Sequence, residues 1–319
     1  MIDYERLPVD PILRQLLEAI PMTDLAKEGV AAARTRLHDV LTAVPDPYPD
    51  VTTADHRFIA PAGHQIGLRV YRPPLCEATD TLAPLVLYCH GGGFALGDLD
   101  SNDVLCKHHA VGASAIVVSV DYRLAPEHPY PAAVDDVWAA LRWVAEHASQ
   151  IGADPARLAV AGDSAGGNLA AVLAQLARDA GGPDLLFQLL WYPGTAQDFT
   201  LPSVIENAEG PVLDLASLKT FTTWYAGHID LANPPVTLAP ARAETFAGLP
   251  PAFIGVAGHD PLRDDGIRYA AHLTAAGVAV QLNHAETLTH GYAYFAGMIP
   301  AVTETVDTGI RALHAALHP

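Results

Sequence analysis

Gly162-Asp163-Ser164-Ala165-Gly166, continued by Gly167 and Asn168, has the G-x-S-x-G spacing of a serine carried on a sharp strand-to-helix turn. The apolar run Leu158 to Ala161 precedes it and a helical pattern follows, which is the context such a turn requires. Glycines on either side leave room for a strained backbone, so the Ser164 hydroxyl can stand clear of the sheet as a nucleophile. A second cluster, His90-Gly91-Gly92-Gly93-Phe94, follows the apolar run Pro84 to Cys89. Attack on a carbonyl creates an oxyanion, and consecutive glycines let two backbone N–H groups converge on it with no Cβ in the way. A loop built to cradle phosphate would need a Gly-Lys-Ser/Thr or G-x-G-x-x-G continuation, and neither is present.

These two motifs, with Asp121-Tyr122-Arg123-Leu124-Ala125-Pro126-Glu127-His128-Pro129 and Tyr130-Pro131-Ala132, resemble the hormone-sensitive-lipase family. The resemblance is to its bacterial esterase branch, whose nucleophile motif is GDSAGG. Gly258-His259-Asp260-Pro261-Leu262-Arg263-Asp264-Asp265-Gly266 and His290-Gly291-Tyr292 resemble that family's acid and base motifs, and the order holds from about residue 50 to the C-terminus. The resemblance implies an α/β-hydrolase fold with a helical cap, and a serine carboxylesterase acting on short- to medium-chain acyl esters. It also implies oxyanion donors at the N–H groups of Gly92, Gly93 and Ala165, and a structural His90 that braces the glycine loop.

The partners of Ser164 can be argued from the residues as well. In that fold the acid and then the histidine follow the serine along the chain. Asp260 lies just past the run Pro251 to Val256, where a strand would end. Asp264 and Asp265 fall in the first turn of the next helical pattern, where a negative charge already has a reason in the helix dipole. Of the later histidines, His290 sits in a loop after the last strand beside Gly291; His284 is closer to that strand, and His272 lies within a helical pattern. Ser164, Asp260 and His290 are therefore the expected catalytic set. Asp163 is read as a local hydrogen-bonding residue, and Asp121, Arg123 and Glu127 as an ion-pair network beneath the glycine loop. Phe94, Tyr192, Phe221 and Tyr225 are the candidates for the substrate pocket, with Leu17, Ile20 and Trp224 as further apolar residues near it.

Such a site needs strands that end together. Short apolar runs at 84–89, 115–120, 158–161, 185–191, 251–256 and 278–282 alternate with helical patterns near 102–111, 132–147, 166–177 and 265–276, and a last helix covers 302–316. Two strand-like segments, 51–59 and 65–71, precede them. That alternation predicts a mostly parallel sheet covered on both faces, the α/β class. The gap from Trp191 to Pro251 is too long for a plain connection and holds one clear helical pattern, near 213–226. Residues 1–45 and 194–240 are accordingly expected to form the cap, and 46–193 and 241–319 the core.

Half of the 319 residues are apolar and 17% are charged, enough to bury a large core. A formal net charge of −18 disfavours nucleic acid and anionic lipid as partners, since both need clustered cations. Three cysteines, Cys76, Cys89 and Cys106, show no paired spacing, and a reduced compartment fits them. The start carries Asp3, Glu5 and Asp10 in place of a basic n-region, and no uncharged apolar run reaches the ~20 residues of a membrane span. The expectation is a cytoplasmic protein with a small-molecule ester as partner and no stable membrane association; a homodimer stays open. No cofactor or metal is implied, because no Rossmann fingerprint, H-E-x-x-H or C-x-x-C occurs. His108 and His109 are adjacent, diverge on a helix, and are expected at the surface or in a layer behind the site. A trypsin-like protease is excluded by the order of its catalytic residues and its all-β fold. Amidase, thioesterase and lactonase activities share the same chemistry and stay open, and a binding-only role, as in the plant hormone receptor of this family, is disfavoured by the presence of His290.

Overall fold

The computed structural model describes residues 6–20, 23–77 and 81–319, so residues 1–5 and 21–22 of the expected cap lie outside it, as do Asp3 and Glu5. Three helices come first: α1 (Pro11–Glu18), α2 (Leu25–Glu28) and α3 (Val30–Thr42). Strands β1 (Thr52–Ile59) and β2 (Gln65–Arg72), the short α4 (Pro74–Glu77) and β3 (Ala83–Cys89) follow. Then α5 (Asp103–Ala113), β4 (Ile116–Asp121), α6 (Ala132–His147), β5 (Ala153–Asp163), α7 (Ala165–Ala180) and β6 (Phe187–Trp191) alternate. The chain ends with α8 (Pro202–Glu206), α9 (Leu215–Ala226), β7 (Ala252–His259), α10 (Arg263–Ala275), β8 (Val280–Thr289) and α11 (Pro300–Leu317).

The strands form one eight-stranded sheet in the order β1-β2-β4-β3-β5-β6-β7-β8. β1 and β2 run antiparallel to each other and β2 antiparallel to β4; every pairing beyond β4 is parallel. β3 reads APLVLYC and is buried along its whole length, as a strand covered on both faces must be. Its alternate residues serve two cores. Leu85 and Leu87 meet α6 and α7 on one face, while Val86 and Tyr88 meet α5 and α11 on the other. α6 shows how the helices cover the sheet: Ala133, Val134, Val137, Ala140, Leu141 and Val144 recur at helical spacing and are all buried.

Two strands run longer than the apolar runs suggest. β5 begins at Ala153, ahead of the expected Leu158, and β8 continues to Thr289, well past Leu282. β8 is an edge strand whose residues alternate exposed and half-buried, so Asn283, His284 and Glu286 broke the apolar signal without breaking the strand. Asp10 caps α1 by accepting from the N–H groups of Ile12 and Leu13, with Pro11 in the first turn. Leu13 and Leu17 anchor that helix in the core under α11, and α2 packs against α9. The segment between β6 and β7 carries the short α8 as well as the expected helix.

Candidate active site

Strand register brings the motifs together before any side chain is considered. Cys89 of β3 pairs with Gly162 of β5, and Asp163 pairs with Trp191 of β6. Trp191 in turn pairs with Gly255 of β7, and His259 with Thr289 of β8. Residues 90, 164, 192, 260 and 290 therefore leave the sheet at the same edge, the carboxyl ends of parallel strands, where open α/β sheets carry their sites.

Ser164 has φ 55° and ψ −116°, a strained backbone, and its N–H is held by the Trp191 carbonyl at 2.8 Å. The glycines around it are steric requirements. A Cβ on Gly166 would overlap the Cys89 and His90 carbonyls, and one on Gly162 would overlap the Gly166 carbonyl. Ser164 Oγ lies 2.8 Å from His290 Nε2, and His290 Nδ1 lies 2.9 Å from Asp260 Oδ2. The fully buried carboxylate of Asp260 can only accept, so Nδ1–H donates and Nε2 is left as an acceptor facing the Ser164 hydroxyl. Asp260 is fixed in turn by the Leu262 N–H, 2.8 Å from its other oxygen. Its neighbours in the motif serve elsewhere. Asp264 accepts from the Ser203 N–H, and buried Asp265 accepts from the N–H groups of Thr195 and Ala196, pinning the loop after β6. Burial pushes the Asp265 carboxyl up to about 7 against those hydrogen bonds.

The glycine loop holds Gly92, Gly93, Phe94 and Gly97 at φ of 108°, 61°, 61° and 92°. Among the described residues no backbone carbonyl accepts from the N–H groups of Gly92, Gly93 or Ala165. Ala165 opens α7, where a first-turn N–H has no intrahelical partner, so three donors are left beside Ser164. His90 braces the loop. It stacks on Tyr122 with ring centroids 4.2 Å apart, and its Nδ1–H donates to the Gly91 carbonyl at 2.7 Å. Complete burial pulls its pKa down to about 4, which keeps the ring neutral.

Asp163 does more than local bonding. One oxygen accepts from the Gly91 N–H at 2.9 Å and the Tyr88 hydroxyl at 3.0 Å, and the other lies 2.8 Å from the Tyr294 hydroxyl. Burial nevertheless holds this carboxyl above its usual range. Tyr294 was not singled out in the sequence; its only signal is its place four residues beyond His290.

Above the donors lies a cavity of about 250 Å³ that reaches Ser164 and His290. Phe94, Tyr192, Phe221 and Tyr225 all line it, as do Leu17 and Ile20. Phe94 and Tyr225 stack at 3.9 Å, Phe221 lies directly on Gly93, and Tyr192 packs its ring 4.8 Å from that of His290. Trp224 turns instead into a small core with Leu25, Ala33 and Leu96. Sequence reasoning missed Leu37, Val40 and Leu41 of α3 and Gln197 and Phe199 of the loop after β6, whose place on the wall depends on how distant segments dock.

The expected network of Asp121, Arg123 and Glu127 does not form. Arg123 pairs with buried Asp136 at 2.7 Å, and Glu127 with Arg34 of α3 at 2.7 Å. Asp121 ends β4 while Glu127 lies in the turn that follows, and Arg123 and Glu127 are drawn to partners on different helices. His108 and His109 are both buried. Nε2 of His109 accepts from the Trp191 indole N–H at 2.9 Å, while His108 bonds Tyr48 and Asp307. Among the described residues no cluster of His, Cys, Asp and Glu is arranged to hold a metal, and no helix is long and apolar enough to cross a membrane.

Residues 86–294 match the profile of a family described by its alpha/beta hydrolase fold. The chain is 57% identical to Esterase LipI of Mycobacterium tuberculosis, over 98% of this chain and 97% of that protein. It is 53% identical to Carboxylesterase NlhH of the same organism, over 98% of each. Among solved structures, a thermostable esterase from Pseudomonas putida superposes with a TM-score of 0.92 at 34% identity, over 98% of each chain. With its fold, strand-end motifs and relatives in agreement, the chain belongs to the alpha/beta-hydrolase fold family, in the branch related to hormone-sensitive lipase.

Proposed function

We propose that the protein hydrolyses carboxylic esters with short- to medium-chain acyl groups through an acyl-enzyme on Ser164. The observation that carries this is the continuous line of contacts from Ser164 Oγ to His290 and on to Asp260, beside three N–H groups that find no backbone acceptor among the described residues. His290 removes the Ser164 proton as Oγ attacks the ester carbonyl, and Asp260 holds the ring in the productive tautomer and stabilises the imidazolium. The N–H groups of Gly92, Gly93 and Ala165 receive the oxyanion, His290 returns the proton to the leaving alcohol, and water then repeats the sequence on the acyl group.

The names of the relatives, esterase and carboxylesterase, support the ester as substrate. The cavity beside Ser164 is walled largely by apolar and aromatic side chains, Phe94, Tyr192, Phe221 and Tyr225 among them, which suits the hydrocarbon part of an acyl ester. In this reading α1 to α3, α8 and α9 act as the cap, and the cytoplasm is the working compartment.

The test is a series of p-nitrophenyl esters from acetate to laurate. Activity is expected to peak at short to medium chains, with a burst of p-nitrophenol that Ser164→Ala abolishes. A burst that survives in that variant overturns the nucleophile assignment, and a peak at laurate overturns the chain-length assignment.

A further inference from the structure

Two carbonyls in a row leave the strained part of the glycine loop, and each is held from outside. The Phe94 carbonyl accepts from the Ala125 N–H at 2.9 Å. The Ala95 carbonyl accepts from Nε–H of Arg34, a residue of α3, at 2.8 Å. The same guanidinium donates to the Ala125 carbonyl at 2.9 Å and to both oxygens of Glu127 at 2.7 and 2.8 Å. One side chain therefore joins three separate segments: the N-terminal helices, the glycine loop and the 122–128 segment.

This junction matters because the loop it grips is not at rest. Gly92, Gly93 and Phe94 are consecutive residues with φ between 61° and 108°, and Phe94 is not a glycine. Such a run persists only where its surroundings over-determine it. Ala95 and Ala125 are fully buried, so a lost hydrogen bond at the Ala95 carbonyl is not replaced readily by water. A second contact runs in parallel, His38 Nδ1 to Asp98 at 2.9 Å, fastening the next turn of α3 to the end of the same loop.

We propose that Arg34 is a positioning residue for the oxyanion donors: by gripping the Ala95 carbonyl it fixes the aim of the Gly92 and Gly93 N–H groups, and so couples the seating of α3 to catalysis. The planar fork explains why an arginine is needed, since four acceptors in different directions are reached at once. Glu127 and the Ala125 carbonyl orient the fork, and Nε–H then points to Ala95.

The inference rests on the esterase reading, with Gly92 and Gly93 as donors. The first arm is therefore the unaltered protein, which must hydrolyse p-nitrophenyl butyrate and bind an aliphatic trifluoromethyl ketone, whose adduct with Ser164 carries an oxyanion. If it does neither, the esterase reading falls. The second arm compares Arg34→Ala, Arg34→Lys and the milder Glu127→Gln. In Arg34→Ala, kcat is expected to fall at least tenfold and the inhibition constant of the ketone to rise by a matching factor, with KM within about threefold. Arg34→Lys keeps the charge on a single nitrogen without the fork and recovers part of the loss, and Glu127→Gln loses two- to fivefold in both quantities. If the parent passes the first arm and these variants keep kcat and ketone affinity, or lose only in KM, the Arg34 proposal alone is overturned. Should Arg34→Ala fail to fold, Arg34→Lys and Glu127→Gln decide by the same two quantities.

Discussion

The Tyr294 hydroxyl stands 2.8 Å from Asp163, so the segment that carries His290 is tied directly to the turn that carries Ser164. Asp163 also holds the Gly91 N–H, and all three strand-end loops thereby meet at one buried carboxyl. Tyr294→Phe removes the hydroxyl that lies against that carboxyl oxygen and against the Asn102 amide oxygen, and so takes the donor from both. A loss of about 1–3 kcal/mol in unfolding free energy is expected. Urea denaturation at neutral pH measures it, and an unchanged midpoint would show that the tie is dispensable.

Asp260→Asn keeps the shape of the acid and its acceptor for the Leu262 N–H, but removes the charge facing His290. Without it, the ring loses its preferred tautomer. A fall in kcat of roughly 10⁴-fold is expected, with substrate binding largely kept. Steady-state rates on p-nitrophenyl butyrate decide the matter; a loss under tenfold would point to another acid.

Gly166→Ala places a methyl group into the Cys89 carbonyl, a backbone atom in the middle of a buried sheet. Nothing there is a flexible side chain that can give way. Destabilisation above about 3 kcal/mol is expected, enough to prevent soluble expression. Recovery of a folded, active Gly166→Ala protein would mean that the turn yields more than its contacts suggest.

His90 and His109 are buried neutral, with burial pulling them to about 4 and about 3. Unfolding returns each to an ordinary value near 6.5. The unfolded chain thus takes up protons first as pH falls. Their contribution is complete above about pH 6.5 and is lost toward the folded values, by on the order of 3 kcal/mol each at pH 4. His109→Gln removes one titrating group, so its unfolding free energy should fall less steeply between pH 6.5 and 4.5 than that of the parent. Parallel slopes would contradict the neutral, buried state of His109.

Phe221 lies against Gly93 and narrows the cavity beside the donors. In Phe221→Ala the ratio of kcat/KM for octanoate over acetate should rise roughly tenfold, the value of one or two better-accommodated methylenes. An unchanged ratio would place the acyl chain elsewhere in the cavity.

What the sequence made legible follows a physical divide. Ser164, the glycine loop, Asp260 and His290 sit at strand ends, where local spacing and chain order already constrain position. The aromatic wall was half legible: Phe94 and Tyr192 are next to motifs, and Phe221 and Tyr225 lie on one helix, but Trp224 of that same helix packs beside Leu25, Ala33 and Leu96 and does not line the cavity. Arg34 and Tyr294 were invisible because their meaning lies in partners 61 and 131 positions away. Asp121, Arg123 and Glu127 show the same limit in reverse: they are close along the chain, yet Arg123 pairs with Asp136 and Glu127 with Arg34.

The crowding of Gly162 and Gly166 against neighbouring carbonyls has a consequence for how this scaffold can diversify. Its catalytic floor offers almost no substitutions that fold, so selection for a new ester has little to work on there. The ceiling is different: Leu37, Val40 and Leu41 belong to α3, which meets the glycine loop through apolar packing on Leu96 and through the polar contacts of Arg34 and His38. Exchanging residues 11–42 between relatives, with Arg34 and its acceptors kept, is therefore a route to altered substrate choice on unaltered chemistry.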